Sequence, residues 1–129
     1  MSTTPLLAVL ACGLVTQCLL LIPMVPGGKI DTRDFSALPR WQYRGFNVLL
    51  TTLGLATLVT AGMAVAGLAV AAWPALLVAL VYVAVFASDL GGIFPVVEDA
   101  LPVQLLVLEA LSLALAGSLA TLALIAVLG

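Results

Sequence analysis

Hydrophobic positions fall into four long stretches along the chain, roughly residues 5–22, 46–66, 73–89 and 102–128, with the polar positions gathered between them and toward one end of each. A helix needs about 20 residues at 1.5 Å rise to cross a hydrocarbon core of roughly 30 Å. Each stretch is of spanning length on that measure. The first stops at the breakers Pro23, Pro26, Gly27 and Gly28. The third opens at Trp73-Pro74, where proline suits the first helical turn, and closes before Gly91-Gly92. Asp99 is a candidate cap for the fourth, and Glu98 lies near its favourable dipole end. The join between the second and third stretches, AGMAVAGLAVAAWP, has only glycines as punctuation. One continuous helix from 46 to 88 is too long for a single bilayer crossing, so four spans is the expected count. The predicted fold is an all-α integral membrane protein, a four-transmembrane-helix bundle. It forms a single domain over 1–129, with both termini on the same side and a polar linker over 24–45.

Composition agrees with lipid as the solvent. The 129 residues are 64% hydrophobic and 8% charged, with a mean hydropathy of +1.34, far from a soluble globule. Too few polar residues remain to cover a water-facing surface. The chain has no histidine, which removes imidazole-ligated haem, the usual zinc sites and any Ser-His or Cys-His nucleophilic pair. No residue pattern indicates a metal or a particular cofactor. Cys12 and Cys18, six positions apart, lie about 240° apart around a helix at ~100° per residue, so they read as small core residues.

Charge adds orientation. All four basic residues, Lys29, Arg33, Arg40 and Arg44, lie in the linker between the first two stretches, together with Asp31 and Asp34. Four cations mixed with carboxylates make a poor phosphate-binding surface, so nucleic acid is not an expected partner. The positive-inside rule instead makes that linker cytoplasmic and places both termini outside a plasma (inner) membrane. Trp41 and Tyr43 are natural interface anchors.

Within the spans, polar residues concentrate in the half nearer the linker: Thr16 and Gln17, then Asn47, Thr51 and Thr52, then Tyr82, Ser88 and Asp89, then Gln104, Glu109 and Ser112. The opposite half holds Thr57, Thr60, Ser118 and Thr121, hydroxyls able to bond back to their own helix. If the polar faces converge, they line a pocket opening toward the basic linker. Glu109 lies seven residues past Pro102, about 10 Å into the membrane, where a carboxylate faces the interior and needs a partner or a proton. Asp89 closes its helix at the end where the dipole disfavours a negative charge, which calls for a cation from 29 to 44. Arg44, Asn47 and Thr51 fall at i, i+3 and i+7 and share a helix face, and the seven-residue spacing puts Tyr82 and Asp89 on one face as well. The candidate ligand-binding set is therefore Glu109, Asp89, Arg44, Asn47, Tyr82, Gln17, Gln104 and Thr51, with no catalytic residue assigned. The segment DTRDFS is a candidate turn over the pocket mouth. Ala110 with Ala114, Ala116 with Ala120, and Gly54 near Ala56 permit close helix approach inside the bundle or between protomers.

Three functions compete. The first is binding of a small polar or ionic ligand in the cytoplasm-facing leaflet. The second is a non-catalytic accessory subunit of a larger membrane complex, with the polar groups forming a buried network that fixes helix register. The third is a membrane enzyme acting on lipid or quinone through Glu109 or Asp89, which lacks an accompanying nucleophile, metal cluster or cofactor signature. Polar groups confined to one leaflet favour binding over a complete transport path. The expected partners are the bilayer itself and a second copy or a larger membrane complex. Small multidrug exporters and dual-topology fluoride channels share the size and span count. Their residues do not match, because the one membrane glutamate is in the fourth span and all basic residues lie on one side.

Overall fold

The computed structural model describes residues 4–26, 30–95, 97 and 99–129. Four α-helices make the fold: α1 (Thr4–Leu21), α2 (Arg40–Val65), α3 (Ala72–Leu90) and α4 (Val103–Leu128), with 3-10 turns at Ile22–Met24 and Ala69–Ala71. Among the described residues there is no strand. All four helices are long and apolar enough to cross a membrane.

The helices alternate in direction, as side-chain pairings show. Gln17 reaches Ser112 while Gly13, one turn back on α1, lies against Leu119, further along α4. Likewise Thr57 pairs with Tyr82 while Phe46 stacks edge-on with Phe94, so α2 and α3 are antiparallel. Cys18 meets Gly54 and Pro26 meets Tyr43, which makes α1 and α2 antiparallel too. The start of α1 and the end of α4 therefore lie at one end of the bundle and the two longer linkers at the other.

The two inner helix ends stop for the same reason. At the end of α2, Leu68 N–H donates to the Met63 carbonyl and Gly67 N–H to Ala64. At the end of α3, Ile93 N–H donates to Ser88 and Gly92 N–H to Asp89. Both are Schellman closures, and Gly67 (φ 79°) and Gly92 (φ 72°) take the left-handed conformation such a closure needs. The glycines between the second and third apolar stretches are thus the turn itself.

Helix α2 begins at Arg40, six residues before the apolar stretch at 46. Pro39 ends the extended linker and its carbonyl accepts the N–H groups of Gln42 and Tyr43, so helix starts at once on the polar run RWQYRG. Hydropathy cannot mark that first turn, and the linker is shorter than 24–45. Asp99 does not cap α4, which follows Pro102. Its carboxylate instead accepts the Asp34 N–H at 2.7 Å, tying the two long linkers together. Gly27, Gly28, Lys29 and Glu98 lie outside the described residues.

Packing is closest where side chains are smallest. Ala75 and Ala79 of α3 and Ala116 and Ala123 of α4 are fully buried, and α3 packs more extensively on α4 than any other pair. Ala110 and Ala114 face outward. On the outside, Val9, Leu19, Val48, Leu55, Val59, Leu77, Leu111 and Leu124 are exposed along all four helices. An apolar surface of that extent is far beyond the isolated patches of a water-soluble monomer.

Candidate functional site

The site is built at the linker end of the bundle. After the first linker leaves α1, residues 31–34 alternate in burial, Asp31 and Arg33 inward, Thr32 and Asp34 outward. An extended segment has a two-residue period, so an Asp-x-Arg pair presents both charges to the same side. Here that side is the bundle interior. Arg33 Nε and Nη2 donate to the two Asp31 oxygens at 2.8 and 2.9 Å. Its Nη1 and Nη2 donate to the two Asp89 oxygens at 2.9 and 3.1 Å. One guanidinium is thus gripped in a fork on each side, the geometry in which arginine pairs best with carboxylates. Burial alone would weaken the Arg33 charge, but the hydrogen bonds that Arg33 donates to Asp31 and Asp89, with their negative charge, outweigh it and push the guanidinium pKa above its ordinary value. The Phe35 ring lies 5.2 Å below the same guanidinium.

Asp89 is placed by the Schellman closure of α3, which leaves its side chain pointing inward from the last turn. The helix dipole opposes a negative charge there, and Arg33 supplies the compensating cation. Asp34, on the outer side of the linker, accepts the Ser36 N–H, and that bond holds its carboxyl below the usual range.

Across from Asp89, α4 contributes Glu109, buried with Oε2 lacking any partner among the described residues. One turn deeper on the same face, Ser112 is buried, and its carbonyl accepts the Gln17 amide at 3.2 Å. Gln17 Oε1 and Ser112 Oγ are also without partners among the described residues. Three unpaired oxygens therefore run inward from the charged end. A cavity of about 10 Å³, lined by Asp31, Arg33, Asp89 and Glu109 among apolar side chains, lies at the centre of the cluster. That is room for one water or one small ion.

A family profile described as a domain of unknown function, DUF8051, matches residues 6–128. The chain belongs to that family. Neither a curated protein nor a solved structure matches it. The DUF8051 match spans all four helices and both long linkers, so the Arg33 cluster lies within it.

Of the residues expected from sequence, the structure brings together Glu109 and Asp89, and joins Gln17 to them through Ser112. Tyr82 is buried deeper and pairs with the Thr57 hydroxyl at 2.8 Å. Arg44, Thr51 and Gln104 are exposed. The Asn47 amide donates to the Tyr43 carbonyl and the Thr51 hydroxyl to the Asn47 carbonyl, so both bond their own helix. Asp31, Arg33 and Ser112 complete the cluster. The hydroxyls of the opposite half, Thr57, Thr60, Ser118 and Thr121, each donate to the carbonyl four residues back.

Proposed function

We propose that the protein is an integral membrane protein that binds a small cation at the Arg33–Asp89–Glu109 cluster, in the leaflet facing the cytoplasm. The observation that carries this reading is a shortage of positive charge in a closed space. Among the described residues, Asp31, Asp89 and Glu109 surround one cation, Arg33, and the buried Glu109 Oε2 has no donor. Such an arrangement is costly in an apolar interior unless a further positive charge joins it. A cavity of about 10 Å³ admits a proton or a bare small ion and excludes an organic solute, so a proton is the favoured ligand.

The test is infrared difference spectroscopy of the protein in lipid across a pH titration. A carboxyl C=O stretch that appears and vanishes reversibly, and is absent from Glu109→Gln, is expected. A titration with no band assignable to Glu109 overturns the reading. Orientation follows separately from the distribution of Lys and Arg. A reporter fused to the C-terminus is expected to be active only outside the cytoplasm, and cytoplasmic activity would move the cluster to the outer leaflet.

The accessory-subunit reading is favoured by a different observation. Arg33 makes four hydrogen bonds to two carboxylates and closes the end of the bundle as a latch. In that role the cluster fixes the linker, and a partner subunit meets the exposed outer side of the linker around Asp34, Ser36 and Arg40.

A further inference from the structure

Helices α2 and α3 pack less extensively than α1 on α2 or α3 on α4. Near the linker end they part to leave a groove of about 500 Å³. One wall is Trp41, Gln42, Gly45, Phe46 and Leu49 of α2, and the other is Val81, Ala84, Val85 and Ser88 of α3, with Phe94 across the end. The size is that of a cleft for an organic molecule rather than an ion. Its lining is apolar and aromatic, and its two polar side chains, Gln42 and Ser88, are uncharged.

Two features favour a positive charge in the groove. Among the described residues no arginine or lysine lines it, the exposed Arg40 and Arg44 lying beside its α2 wall, whereas Trp41, Phe46 and Phe94 present aromatic rings, whose faces attract cations. Phe46 and Val85 also line the small charged cavity, so these two side chains are the partition between groove and cluster. Behind that partition two carboxyl groups, Asp31 and Asp89, share the one guanidinium of Arg33. In a low-dielectric surrounding, a charge one side chain away is weakly screened.

We propose that the groove between α2 and α3 binds a lipophilic cation, an apolar or aromatic body bearing one delocalised or amine-borne positive charge, with the charge directed at the Phe46–Val85 partition. Such a molecule enters sideways from the lipid, since the groove opens on the flank of the bundle. Gly45 borders open space on the α2 wall, since a Cβ at that position meets nothing within 4 Å. The inference rests on the cluster reading only for the net charge behind the partition.

The probe is tetraphenylphosphonium, read by quenching of Trp41 fluorescence in purified protein carrying Trp73→Phe. Saturable quenching at one cation per chain is expected, with none from tetraphenylborate, its anion of the same shape. Gly45→Leu fills the groove and is expected to abolish the quenching. That change replaces glycine with a strong helix former in open space, so the fold is retained, checked by an unchanged thermal midpoint. Ala84→Phe fills the groove from α3 and serves if the first variant misfolds. Equal quenching by both ions, quenching that survives both substitutions, or no quenching at all overturns the proposal. The Glu109 infrared band, measured on the same preparation, separates its failure from failure of the proton reading.

Discussion

Replacing Arg33 with methionine is expected to cost about 3–5 kcal/mol, the usual penalty for removing one partner from a buried ionic cluster. The substitution leaves Asp31 and Asp89 facing each other in a closed space without the cation that both grip. Arg44→Met is expected to change stability by under about 0.5 kcal/mol, because Arg44 is exposed on the first turns of α2. Thermal unfolding of the two purified variants beside the parent makes the comparison. Equal midpoints for all three would show that the linker is not held by its arginine. A triple variant, Arg33→Met with Asp31→Leu and Asp89→Leu, is expected to recover most of the loss, since an apolar replacement of a whole buried cluster is often neutral.

The second large effect is expected at Gly13. A Cβ built there collides with the Leu119 side chain, which is itself almost fully buried on α4. Gly13→Val therefore forces α1 and α4 apart or Leu119 off its rotamer, at about 1–3 kcal/mol. The loss is expected to be recovered in part by Leu119→Ala, because the two residues share one space. A double-mutant cycle on unfolding free energies measures that coupling. Strict additivity would place the damage elsewhere. The stake is more than packing: the α1–α4 seam also holds Gln17 against Ser112, so the same variant is expected to perturb the Glu109 band.

The helices were legible because a spanning segment is defined by length and hydropathy, and both survive without knowledge of any partner. Glu109 and Asp89 were legible for a related reason: a carboxylate in an apolar run costs too much to be incidental. The need for a cation at Asp89 could also be read, but its identity could not. Arg44 continued a helical stripe through Asn47 and Thr51, and a stripe says which residues share a face without saying which way the face points. Arg44 and Thr51 are exposed, and Asn47 and Thr51 bond their own helix rather than the cluster. Arg33 sits in extended chain, where the spacing to compare is two rather than three or four. Asp31-x-Arg33 carries that signal, but it becomes readable only once the segment is known to be extended. Tyr82 shares a face with Asp89 yet lies two turns away, about 10 Å along the helix, too far to touch the same ligand.

The Arg33–Asp89 pair joins positions 56 apart, and that interval has a consequence for how the chain is made. When Arg33 leaves the ribosome, Asp89 has not been synthesised. The charged linker of the α1–α2 hairpin is therefore made before the carboxylate on α3 that pairs it. Sealing of that end waits for α3 to arrive and for Gly92 to turn its last residues inward. A chain that stops short of α3 thus differs from one that has passed it by an arginine without its Asp89 partner, and the latch can close before α4 is made.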